Sequence, residues 1–223
     1  MFLIIFQSIV IIYIILSVYY LLELQKYNFN GILNKATNVS EINEILKNLN
    51  PILFNKKINI QIEEPLNIGF DEEYIPISNY NSSKDNQIYI HKNKRLFQDM
   101  KLDNHIINLQ FLNDYDKIPF TYNSVSVYKN VSSKLYRCCH NYNLIGVING
   151  ETTVYLFNPK HKKDIINKSN NKIKKWAHKH FLSKDDILVI PPNWYYIQET
   201  PDKVIQYNID ADTYFTFIPN FFK

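Results

Sequence analysis

Asp185-Asp186-Ile187-Leu188-Val189-Ile190-Pro191-Pro192-Asn193-Trp194-Tyr195-Tyr196-Ile197 reads as an acidic turn, a buried strand, a proline break and an aromatic strand. The run 187–190 is aliphatic, mostly β-branched and bounded by acids and a Pro pair, which suits a short buried strand better than a helix. Pro191 and Pro192 end it, because neither carries the N–H that a ladder needs. Residues 194–197 restart an aromatic strand, and residues 204–209 supply another after the turn at Pro201-Asp202. Three strands in close succession predict an antiparallel sheet.

Upstream, Ser124-Val125-Ser126-Val127-Tyr128 alternates with period two, and strands are expected at 135–139, 144–148 and 153–157. A last one is expected at 215–218. The chain has only four glycines, so Gly146 and Gly150 are informative, and Asn149-Gly150 is the strongest short hairpin signal available. The predicted class is mainly β, with strands enough for a small double-stranded β-helix filled by aromatic side chains.

Two blocks carry a resemblance. One is the quoted stretch; the other is Asn143-Leu144-Ile145-Gly146-Val147-Ile148-Asn149-Gly150-Glu151, followed by Val154-Tyr155-Leu156-Phe157-Asn158-Pro159. Their order, spacing and turn residues resemble the catalytic core of JmjC-type, cupin-like proteins over residues 122–218. That family's active members hold Fe(II) with two His and a carboxylate, leaving positions open for 2-oxoglutarate and oxygen.

Aligned through Asn143 and Gly150, the resemblance places the family's His-x-Asp pair at Arg137 and Cys139 and its distal His at Tyr196. A guanidinium has no lone pair to give a metal, and a phenol is not an imidazole. The basic residue that anchors 2-oxoglutarate in some relatives falls near Thr152. Shifting the register by one residue brings in His140 but turns the Leu144, Val147 and Val154 pattern to the other face. The resemblance therefore implies a degenerate site with no catalytic residue, metal or cofactor. The alternative is an atypical Fe(II)/2-oxoglutarate hydroxylase built from His140, Cys139 and the pair His178 and His180, which a strand would point the same way.

At the start of the chain, residues 2–22 are apolar and uncharged, long enough to cross a bilayer as a helix. Nothing basic precedes the run and no small-residue cleavage site follows it, so an uncleaved signal anchor is expected rather than a signal peptide. Tyr19 and Tyr20 stand where an interfacial belt would be. Lys26 and Lys35 on the far flank place the large domain on the cytosolic side of a single-pass membrane protein. Cys138 and Cys139, adjacent and the only two, staple no loop and fit a reducing compartment, one facing inward and one outward. The N-x-S sequences at Asn38, Asn81, Asn130 and Asn167 are expected by chance in so Asn-rich a chain.

The expected organisation is an anchor and flank at 1–27, an α+β extension at 28–119 packing on the core, and a β-core at 120–223. Within the extension, Ser40 is expected to cap a helix that Pro51 stops. Strands are expected within 52–62 and at 88–90, a loop at 78–86, and a helix then a strand within 96–112. His91 and His105 are isolated, and the acids at 63–64 and 71–73 read as solvated loops.

The segment 160–184 carries nine lysines against the single acid Asp164. Such an excursion could attract anionic lipid, nucleic acid or another protein, through Lys172, Lys174, Lys175 and Trp176. A solvated loop is the bland reading. The Asn, Lys, Ile and Tyr bias suits an A/T-rich source such as a large DNA virus, with a virion or host membrane as the site. The expected role is that of a pseudoenzyme, a membrane-anchored structural or binding module.

Overall fold

The structure is a computed structural model that describes residues 2–23, 34–36, 38–57, 67–70, 73–76, 87–102, 120–214 and 216. In chain order its strands are β1 (Asn34–Lys35), β2 (Ile52–Asn55), β3 (Asn67–Phe70), β4 (Glu73–Pro76), β5 (Ile88–Asn93), β6 (Phe120–Lys129) and β7 (Val131–Ser132). There follow β8 (Tyr136–Arg137), β9 (Tyr142–Asn149), β10 (Thr152–Phe157), β11 (Ala177–Leu182), β12 (Asp186–Ile190), β13 (Tyr195–Thr200) and β14 (Val204–Asp212). Helices are α1 (Phe2–Glu23), α2 (Val39–Lys47), α3 (Lys94–Asp99), and the short α4 (Lys162–Ile165) and α5 (Asn170–Ile173).

The first sheet runs β1-β2-β12-β9-β14-β6-β5; the second runs β11-β10-β13-β7, with β8 also paired to β13; β3 and β4 form a separate two-stranded pair. Through the core the chain changes sheets at nearly every step: β6, β9, β12 and β14 lie in the first, and β8, β10, β11 and β13 in the second. That alternation is the strand order of a double-stranded β-helix. The fold is mainly β and cupin-like.

Two sequence expectations change here. The three strands around the proline pair do not form one ladder, since β12 and β14 belong to the first sheet and β13 to the second. Asn149-Gly150 is not a hairpin, because β9 pairs with β12 and β14 while β10 pairs with β11 and β13. The turn instead carries the chain across the barrel. Gly150 has φ +84°, and a Cβ there would run into the backbone carbonyl of Lys203.

Segments before residue 120 extend the first sheet at both edges. β2 pairs antiparallel with β12, and β5 with β6. On this sheet's outer face Ile42 and Leu46 of α2 and Leu96 and Phe97 of α3 cover Leu144, Ile187, Val189, Ile205 and Ile209. The expected shared face of Leu144, Val147 and Val154 is corrected: Leu144 lies under these helices, whereas Val147 and Val154 lie between the sheets. Both faces of the first sheet are covered, the outer one by these helices and the inner one by the second sheet.

The cap of α2 is Asn38, whose side-chain oxygen accepts from the Glu41 N–H at 2.9 Å; Ser40 lies in the first turn and donates to the same oxygen. Leu49, with φ 53°, turns the chain out ahead of Pro51, and its carbonyl accepts from the buried Trp194 indole at 3.0 Å. Strand 52–62 is seen as Ile52–Asn55, strand 88–90 as Ile88–Asn93, and the helix near residue 96 as Lys94–Asp99. The loop at 78–86, the strand at 106–111, the acids at 63–64 and 71–72, His105 and most of 215–218 lie outside the described residues.

α1 is a helix of 22 residues. Its exposed apolar side chains, from Ile5 to Tyr19, lie all round it; Ser17 is buried, and the Tyr13 hydroxyl donates to the Tyr214 carbonyl. Those described side chains span ~22 Å of helix. Among the described residues no helix is long and apolar enough to cross a membrane.

Candidate functional site

β14 sets the character of the barrel interior. Its odd positions Ile205, Tyr207, Ile209 and Ala211 face the covering helices, so by period two Gln206, Asn208, Asp210 and Asp212 face between the sheets. All four are buried. They continue a polar ladder: Gln198 donates to Gln206 at 2.8 Å, Gln206 to Asn208 at 3.2 Å, and Asn208 to Ser126 at 2.8 Å. Buried polar groups persist only when paired in this way.

At the end of the ladder two carboxylates meet a lysine and a histidine. β5 carries an irregularity between Ile90 and Asn93, and Lys92 sits within it at φ 51°. Such a bulge re-aims a side chain, and the Lys92 ammonium reaches Asp210 at 2.8 and 2.6 Å. Asn143 donates to the same carboxylate. His140 Nδ1 lies 2.7 Å from Asp212, whose other oxygen accepts from the Asn141 N–H at 3.2 Å. His140 Nε2 is 3.7 Å from Asp210, so the ring bridges both acids.

Beside this cluster stands an aromatic wall. His91 stacks on Tyr136 with ring centres 4.3 Å apart, Tyr136 on Tyr196 at 5.4 Å, and His91 Nδ1 meets the Tyr128 hydroxyl. Burial, then the charge of Lys92, lowers the His91 pKa to about 4. Burial pushes the Tyr128, Tyr136 and Tyr196 phenols and the Cys138 thiol well up, so all four stay neutral at ordinary pH.

The positions expected to replace the family's iron ligands do not converge. In the β8–β13 register Tyr136 lies opposite Tyr196 and Arg137 opposite Tyr195. Tyr136, Cys138 and Tyr196 share the inner cluster, while Arg137 is exposed and donates to Asn193 Oδ1 at 2.6 Å. Cys139 is partly exposed, so one cysteine faces in and one out, as expected. Along β8 the residues that face Tyr196 are therefore Tyr136 and Cys138, not Arg137 and Cys139. Two phenols and a thiol, all neutral, do not fit a facial two-His, one-carboxylate iron site. Nor does the neighbouring chemistry supply one, because Asp210 and Asp212 are already held by Lys92, Asn143, His140 and the Asn141 amide. Thr152 is buried and hydrogen-bonds Thr200 at 3.2 Å.

The alternative set of His140, His178 and His180 is also separated. His140 bonds β14 of the first sheet, whereas His178 and His180 lie on β11, the edge of the second, opposite Leu156 and Val154. Among the described residues no group of three or more His, Cys, Asp or Glu side chains could hold a metal ion.

In the basic insertion, Lys172, Lys175 and Trp176 line one cleft with Asp164, Lys168 and Asn171. Lys174 turns away to Glu199, at 2.5 Å, and over the Tyr155 ring at 5.0 Å.

Lys92, Asn143, Asn208, Asp210 and Asp212 were not singled out from the sequence as a site. The available signal was the strict alternation of polar and apolar residues in 205–212, which ordinarily marks a solvent face.

The strand order and the polar, aromatic-walled interior define a cupin-like double-stranded β-helix. No family model and no curated protein matches the chain. Among solved structures it is similar to the Schizosaccharomyces pombe Cnp3 cupin domain, at 15% identity and a TM-score of 0.32, covering 43% of this chain and 57% of that one. It is also similar to a cupin-2 domain containing protein from Shewanella frigidimarina, at 8% identity and a TM-score of 0.30, covering 40% and 69%. The chain thus matches little more than half of the first domain's length. The fold assignment rests on the strand order itself.

Proposed function

We propose that the chain is a non-catalytic, cupin-like binding or structural module held to a bilayer by its first helix. One observation carries the non-catalytic part: the two buried carboxylates of β14 already have partners, Asp210 in Lys92 and Asp212 in His140, beside an inner wall of neutral phenols. The anchor is supported by the uncharged run 2–22, which as a helix is ~32 Å long and matches a hydrocarbon core of about 30 Å. Its apolar residues surround the helix instead of forming one stripe, which fits a span better than a helix lying flat in the interface. The lysines after the run support a cytosolic domain, and the composition supports a large DNA virus as source, with a virion or host membrane as the location.

The test is metal analysis and 2-oxoglutarate turnover on the full chain purified in detergent. The expected result is substoichiometric iron and no turnover. Stoichiometric iron lost on His140→Ala, or turnover, would instead establish the hydroxylase reading.

A further inference from the structure

Resting on the anchored reading above, we propose that the basic insertion is a site for the phosphate headgroups of anionic lipid, facing the bilayer that holds α1. It is an ordered platform rather than a solvated loop. Ile165 of α4 and Ile173 of α5 are fully buried against Phe157, Tyr195 and Ile197 on the outer face of the second sheet. Asn170 donates to the Ser133 carbonyl at 2.8 Å, and Lys174 is pinned to Glu199. These clamps hold Lys168, Lys172, Lys175, Asn171 and Trp176 around a cleft of about 610 Å³, with Asp164 as its one acid. Trp176 is 37% exposed, packed against His161 at 4.8 Å and under Lys175 at 5.2 Å. An amphipathic ring among cations suits the headgroup level.

Topology puts the root of this platform at the end of the barrel where β14 finishes. The insertion leaves β10 at Phe157 and returns at Ala177, which are opposite each other, and Phe157 is opposite Tyr195. The short connection 191–194 joins Tyr195 to Ile190, Ile190 faces Asn143, and Asn143 faces Asp210 near the end of β14. Just beyond that end Tyr214 takes the hydrogen bond from Tyr13 of α1. Covalent attachment to a membrane anchor keeps the cleft at high effective concentration near the headgroups, where each lysine contributes about 1 kcal/mol. A free polynucleotide gains nothing from the tether, and that decides between the two polyanions.

The experiment reconstitutes the full chain into phosphatidylcholine vesicles, with and without phosphatidylserine. Resistance to alkaline extraction reads the anchor, and protection of tryptophan emission from acrylamide reads the cleft. Trp194 is fully buried and gives a constant background, and Trp176→Phe identifies the responsive signal. Protection is expected only with phosphatidylserine. It should weaken about fivefold for each of Lys168→Glu, Lys172→Glu and Lys175→Glu, and persist in Lys94→Met, at an exposed lysine of α3. Equal quenching in both vesicles by a protein that resists extraction overturns the headgroup site and leaves the anchor standing. Extraction of a protein that still shows salt-sensitive protection on anionic vesicles overturns the anchor and keeps the site. Equal protection in neutral vesicles by inorganic phosphate or a single-stranded oligonucleotide overturns the lipid assignment.

Discussion

Lys92 reaches both oxygens of Asp210, at 2.8 and 2.6 Å, across 118 residues of sequence and from a left-handed position in an edge strand. The carboxylate is almost wholly buried, so its charge is tolerated only because the ammonium and the Asn143 amide meet it.

Removing one partner strands the other. Lys92→Met is expected to destabilise the fold by about 3 kcal/mol, the low end for breaking a buried pair because the lysine is partly exposed. Lys92→Met with Asp210→Asn should recover more than half of that. Urea unfolding of the four proteins in the cycle measures it, and additive losses would show that the pair is not coupled.

The Tyr207 hydroxyl is buried without a hydrogen-bond partner among the described residues, and its ring covers Gly146, the residue opposite it on β9. Tyr207→Phe is therefore expected to be neutral or to stabilise by up to about 1 kcal/mol, since it deletes an unsatisfied group. Gly146→Ala drives a methyl into that ring and should cost about 3 kcal/mol. Thermal unfolding distinguishes them; a destabilised Tyr207→Phe would reveal a partner for the hydroxyl.

Acid should loosen the aromatic wall. The His91 pKa falls from 6.5 to about 4 on folding, so between those values the unfolded chain binds more protons. Stability is full above pH 6.5 and is lost as pH drops towards 4; His178 and His180, also lowered by burial, act in the same direction. Discounted for partial exposure, the His91 contribution is about 2 kcal/mol. His91→Phe should flatten the slope of unfolding free energy across this window, and an unchanged slope would assign it elsewhere.

The two adjacent thiols should behave as different species. Cys138 is buried and held neutral, whereas Cys139 is partly exposed. One thiol is expected to react with a disulfide reagent in the native protein and two after denaturation. Loss of the fast reaction in Cys139→Ser confirms the assignment; its persistence means that Cys138 is the open one.

Strand positions in the core were readable because short β-branched and aromatic runs between Pro, Gly and acidic turns have few other uses. The pairing was less so. Asn149-Gly150 carries a hairpin signal, yet a tight turn serves equally to cross from one sheet to the other. The inward positions are Tyr136 and Cys138 rather than Arg137, because β8 is only two residues long and its register is set by the Cys138 N–H donating to the Trp194 carbonyl and the Cys138 carbonyl accepting from the Asn193 N–H. The Lys174 side chain looked equivalent to Lys172 and Lys175 until Glu199 was seen to hold it.

The sequence by itself determined the succession of strands, the basic excursion, the apolar first helix and the alternation in residues 205–212. Alternation states that two faces differ, but not which of them is covered. Only the tertiary structure decided that the polar face of β14 turns inward, because α2 and α3 claim the apolar face and Lys92 arrives from a distant strand to neutralise what is buried.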